Sequence, residues 1–208
     1  MTYGEFCRRV FELVFSYTLA GTEIPDSYNN QADYAGMIPG LINSAQMDIA
    51  TTVKRIPALK KVADMHHRTR GNKIHYELPD DCWMPCLNGL LCDAPGRYTR
   101  YFNYRMLQGG RYMELPLNHP AEVTLEYFRY PEAVSETTGD NDELDNTPDV
   151  HECILFYVAS YLLLYDDPYR SAEFKRQYTE RLARLRTPVW LEPAVIHDVY
   201  NDCGEYYI

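Results

Sequence analysis

The chain has 208 residues, of which 46% are hydrophobic and 24% charged, so it can close a real core and global disorder is excluded. Its formal charge is −10, which removes the overall basic footprint of a nucleic-acid binder. Tyrosine is enriched, with 19 copies against 7 Phe and 2 Trp; a ring with a polar tip suits surfaces that become buried on association.

The first predicted helix runs from Tyr3 to Thr18. Thr2 and Glu5 stand at capping-box spacing, and Phe6, Val10, Leu13, Val14 and Tyr17 recur at helical spacing. Gly21 and Pro25 end it. A second helical pattern joins Tyr34, Ile38, Leu41, Ile42, Ala45, Ile49 and Val53, with Pro39 inside. That proline implies either a kink or a helix that starts at Pro39. Lys54 to Lys73 hold seven of the 20 basic residues and few apolar ones, which predicts a solvated loop or a short helix.

From Ile74 to Tyr130 the hydrophobic period becomes two, and Val123, Leu125 and Tyr127 alternate with acids and Thr. Turn signals at Pro79-Asp80-Asp81, Asn88-Gly89, Pro95-Gly96, Gly109-Gly110 and Asn118-His119-Pro120 divide this region. Four or five antiparallel strands are expected, near 74–78, 83–92, 98–106, 111–116 and 121–130.

Glu132 to Glu152 contains eight acids and no Lys or Arg, and predicts a solvated loop that leads into a helix. That helix starts with Thr147 as N-cap and Pro148 as first residue. It is apolar almost all round to Tyr165, as a buried helix is, and Asp166-Asp167-Pro168 stops it. A last helix is expected from Ser171 to Leu185, with Phe174, Tyr178, Leu182 and Leu185 on one stripe. The remaining residues, Trp190 and Val195 among them, lack helical spacing yet are too apolar for a solvated tail.

Reactive motifs are sparse. The six cysteines follow no secretory-type leader and are expected as free thiols of a cytosol-made protein. Cys82-x3-Cys86-x5-Cys92 with His75 lacks the second knuckle of a structural zinc site. Asp140-x-Asp142 lacks the next acid and the Gly of a calcium loop. There is no Gly-rich phosphate loop, and Ser160 lacks the flanking glycines of a nucleophile elbow. The expectation is therefore no catalytic residue, no cofactor, no metal and no enzyme. No apolar run reaches the ~20 residues of a membrane span. The basic cluster Lys54, Arg55, Lys60, Lys61, Arg68, Arg70 and Lys73 reads as a solvated face, with DNA phosphates as the other reading.

The fold class is α+β: a helical bundle of three to four main helices with an inserted small antiparallel β-sheet or sandwich, and an extended C-terminal tail. Residues 1–190 form one domain, with helices at about 3–57 and 147–186 and the β insertion at about 74–131; residues 191–208 form the tail.

Several stretches carry a resemblance. They include Ile38-Pro39-Gly40-Leu41-Ile42-Asn43, Ala50-Thr51-Thr52-Val53-Lys54-Arg55-Ile56-Pro57, Tyr76-Glu77-Leu78-Pro79-Asp80-Asp81-Cys82-Trp83, Leu125-Glu126-Tyr127-Phe128-Arg129-Tyr130-Pro131 and Tyr165-Asp166-Asp167-Pro168. In their order along the chain they resemble the adaptor (head–tail connector, head-completion) proteins of tailed bacteriophages. The resemblance implies a structural virion protein, assembled in the host cytoplasm. It implies a ring of about twelve copies in the neck (a dodecamer), closed by heterologous contacts. That ring would join the portal protein to a stopper or tail protein and extend the DNA channel, with genomic DNA passing through and no sequence-specific binding. By position, the tail would dock on portal through Val195, Ile196, Val199, Tyr200, Tyr206, Tyr207 and Ile208. Asp140, Asp142, Glu143 and Asp145 would face the channel or the next subunit. The alternatives are another neck component (stopper or tail terminator), a small metal or thiol enzyme of a mobile element, and a nucleic-acid-binding regulator.

Overall fold

The computed structural model describes residues 1–15, 31–86, 89–94, 97–120, 122–135 and 137–185. Among the described residues there are four α-helices and two antiparallel sheets, a mixed α+β arrangement. Helix α1 spans Tyr3–Phe15, α2 Gln31–Thr52, α3 Pro148–Leu162 and α4 Pro168–Leu185. Nine strands lie between α2 and α3: β1 Ile56–Lys61, β2 His67–Arg70, β3 Lys73–Glu77, β4 Cys82–Pro85, β5 Leu90–Ala94, β6 Arg97–Tyr101, β7 Arg105–Leu107, β8 Tyr112–Pro116 and β9 Val123–Arg129.

The helices share one apolar cluster. Phe6, Val10 and Val14 of α1, Ile38, Ile42 and Ile49 of α2, and Ile154, Leu155 and Val158 of α3 are buried together, with Phe174 from α4. Burying a side chain of that size contributes roughly 1.5–3 kcal/mol each, so this cluster decides the helix arrangement more than intrinsic propensity does. Helix α3 is buried on nearly every side, as its composition predicts. Thr2 caps α1, its Oγ1 accepting from the Glu5 amide at 3.2 Å.

The strands close a second cluster of their own. Leu90, Val123, Leu125 and Tyr127 from one sheet meet Tyr76, Met113 and Leu115 from the other. The first sheet runs β1-β9-β5-β6, with β4 also paired to β9; the second runs β2-β3-β8-β7. Gly109 and Gly110 hold φ of 67° and 88° at the β7–β8 hairpin, the left-handed region that a side chain disfavours.

Four sequence expectations need correction. The basic stretch after Lys54 is mostly strand, with a short 3-10 helix at Val62–Asp64 between two strands: β1 and β2 each lie at a sheet edge, where charged side chains and Pro57 guard an open hydrogen-bonding row. Helix α2 is already formed at Gln31 and continues through Pro39, so Pro39 is not its first residue. The last helix, expected from Ser171, starts at Pro168, where the missing donor is harmless. The strands expected at 83–92 and 98–106 are each two, β4 with β5 and β6 with β7. The part of the first predicted helix beyond Phe15 lies outside the described residues, as does the C-terminal tail.

Candidate assembly surfaces

Between β9 and α3 the acidic segment crosses the helices. Val134 and Leu144 are buried in the helical cluster and pin it at two points. Asn43 of α2 brackets Val134: its Nδ2 donates to the Val134 carbonyl at 2.7 Å, and its Oδ1 accepts from the Val134 amide at 2.8 Å. Gln46, 2% exposed, donates to the Glu132 carbonyl at 2.7 Å. The first amides of a helix have no partner inside it. Here the Tyr3 and Gly4 amides donate to the Asp142 and Asp140 carbonyls, each at 2.9 Å. A Cβ on Gly4 would come 2.9 Å from the Asp140 Cβ, so the crossing needs a glycine.

The backbone is thus fixed while the charges differ in fate. Asp140, Asp142 and Glu143 are exposed. The Asp142 carboxylate accepts from the Gly139 amide at 2.7 Å. Asp145 turns inward and grips Arg129 through two bonds, Nη1 to Oδ2 at 2.7 Å and Nη2 to Oδ1 at 2.8 Å. It also accepts from the Glu132 and Asn146 amides, each at 2.9 Å. Burial raises its pKa, but the guanidinium and the two amides outweigh burial and hold the carboxyl below its ordinary value. His151, 1% exposed, places Nε2 2.7 Å from the Asp145 carbonyl, which can only accept, so that nitrogen carries the proton. Asp145 therefore fastens the strand module to the helices and is not a surface group like the other three.

A second surface lies at the α3–α4 turn. Leu164 is 44% exposed, and Tyr165 and Tyr169 are 88% and 86% exposed. The turn beneath them is held firmly. The Arg170 guanidinium donates to the carbonyls of Leu13 and Val14 of α1 at 2.6 and 3.1 Å, and the Tyr34 hydroxyl donates to Asp166.

A family model described as SU10 adaptor protein matches residues 1–195, a span that contains every described element. The chain belongs to the SU10 adaptor protein family. The likeness to tailed-phage adaptors drawn from the sequence is thereby borne out. Comparison with curated proteins finds no match.

In this SU10 adaptor family member the cysteines are spread out. Cys82 lies opposite Arg129 and Cys92 opposite Val123, at the two ends of β9. A strand of that length separates them by about 20 Å, too far for one ion. Burial pushes the Cys82 thiol up to about 11 and the Cys153 thiol up to about 12. His66 and His67 are both exposed, and His67 packs its ring on Tyr76 with centroids 5.5 Å apart. Among the described residues no group of three His, Cys, Asp or Glu side chains is placed to hold a metal, and no helix is long and apolar enough to cross a membrane. The tail residues Val195, Ile196, Val199, Tyr200, Tyr206, Tyr207 and Ile208 lie outside the described residues. Sequence reasoning missed the Tyr165–Tyr169 surface. Its signal was there: two tyrosines flank the Asp-Asp-Pro turn that follows the apolar helix.

Proposed function

We propose that this chain is a non-enzymatic virion component, an adaptor that assembles as a ring in the phage neck between portal and the stopper or tail. The match to the SU10 adaptor family over residues 1–195 carries the reading. Two features support it. Tyr165 and Tyr169 offer large apolar area to solvent on a fixed turn. The exposed acids Asp140, Asp142 and Glu143 sit on a segment that cannot swing away. A ring of about twelve copies needs such preset surfaces, because each copy uses two different faces. Acidic groups toward a channel would also keep DNA from adhering to its wall.

Two experiments test this. Electron microscopy of particles in which this chain is labelled should place the label at the neck; a label on the shell or tail tip overturns the reading. Removal of residues 193–208 should leave a chain that folds but no longer binds portal, measured by co-sedimentation. Unchanged binding refutes the docking role of Val195 to Ile208.

A further inference from the structure

The second sheet presents a row of charges on its outer face. Strand registers align Arg68 with His75, His75 with Glu114, and Glu114 with Arg105, so one row crosses all four strands. Neighbouring strands are about 4.8 Å apart, so the row spans about 14 Å. Arg70 and Lys73 form the next row on the same face. The opposite face carries Ile74, Tyr76, Met113 and Leu115 into the apolar cluster, which leaves the charged face turned outward.

The carboxylates on this face are already engaged. Glu114 binds Lys73 Nζ at 2.5 Å and His75 Nε2 at 3.2 Å, and Glu77 meets Arg111 at 3.5 Å. Arg68, Arg70 and Arg105 are exposed and form no ion pair among the described residues. The mirror situation holds on the acidic segment. Asp145, Asp149 and Glu152 have Arg129, Lys54 and Arg9, whereas Asp140, Asp142 and Glu143 have no cationic partner among the described residues. No ion pair of the described chain joins the two sets.

We propose that the outer face of the β2-β3-β8-β7 sheet is the dock for the acidic segment of a second copy of this chain, with Arg68, Arg70 and Arg105 receiving Asp140, Asp142 and Glu143. The inference rests on the ring assembly proposed above and names its contact. Guanidinium forks match carboxylates in pairs. Both surfaces are fixed before they meet, the arginines on a paired sheet and the acids on a segment pinned at Val134 and Leu144. Two unlike patches make a heterologous contact, which repeats from copy to copy until the rotation closes. Duplex DNA is the competing occupant, and a chain of net charge −10 is the poorer host for it.

The test is a charge exchange. One variant carries Arg68→Glu, Arg70→Glu and Arg105→Glu; the other carries Asp140→Lys and Glu143→Lys. All five side chains are exposed and free of ion pairs, so both variants should keep the wild-type circular dichroism. Sedimentation velocity over a concentration series in low salt should show wild-type self-association that weakens as salt rises. Each variant alone should associate at least ~10-fold more weakly. An equimolar mixture should recover assembly, because alternating copies then meet opposite charge at every contact. A wild-type chain that stays monomeric in low salt overturns the proposal, as do variants that associate like wild type or a mixture that recovers nothing. Duplex DNA bound by wild type and lost in the arginine variant, without recovery in the mixture, assigns the face to DNA instead. Location in the particle is decided by the labelled microscopy alone, so failure of this contact and failure of the neck role are told apart.

Discussion

Arg129 and Asp145 show how one ion pair can outweigh its individual worth. Their side chains are 21% and 13% exposed, and two parallel bonds fix both the end of β9 and the start of the segment that leads into α3. Removing one partner leaves the other charge half-buried. Asp145→Asn should therefore lower unfolding free energy by ~1–3 kcal/mol in urea titration. The pH dependence has a definite sign. The folded carboxyl titrates below its unfolded value, so its contribution is complete above the ordinary carboxylate range of about 4. That contribution is lost as pH falls through the lowered folded value. The wild-type melting temperature should drop there, and the Asn variant should show a shallower drop; equal slopes would refute the assignment. Nothing in the sequence pairs these two residues. Asp145 looks like one of eight acids in a run, and only the docking of Val134 and Leu144 turns it inward.

Element boundaries were legible where local chemistry decides them. Thr2 caps α1 as its spacing implies, and Thr147-Pro148 opens α3. Even there the detail changed: the Thr147 hydroxyl accepts from Lys54 Nζ at 2.8 Å and donates to Asp149, and makes no cap bond. The Lys54–Asp149 ion pair competes for it. The start of α4 was placed three residues late because a proline after an apolar helix signals an end as readily as a start. The edge strands were missed because their charges hide the alternation, while the central β9, buried at every second residue, was plain. Other contacts depend on distant groups. The Arg170 guanidinium, far along the chain, takes the Leu13 and Val14 carbonyls of α1. Arg170→Ala should cost ~1–3 kcal/mol by removing charge-assisted bonds to two α1 carbonyls. Amide exchange in α1 should accelerate more than in α3; uniform acceleration would contradict this role.

Two apolar clusters, one from helices and one from strands, give the molecule two centres of stability. A cavity in either should be felt mainly by its own. Ile154→Ala, at a site 1% exposed, should cost ~2–5 kcal/mol. Hydrogen exchange should rise across the helices while the amides of β3, β8 and β9 keep their protection; loss of protection in both would show a single cooperative unit. Composition and periodicity displayed the α+β class and the β segment between helices. They did not display the split into nine strands, because a turn such as Asn88-Gly89 marks a break only once its flanking strands have partners. The pairing of Ile56 with Arg129 has a further consequence. The polypeptide enters and leaves the whole strand region through directly opposed residues, whose Cα atoms in such a ladder lie about 5 Å apart. A doorway that narrow makes the region a cassette whose length or content could change without moving a helix.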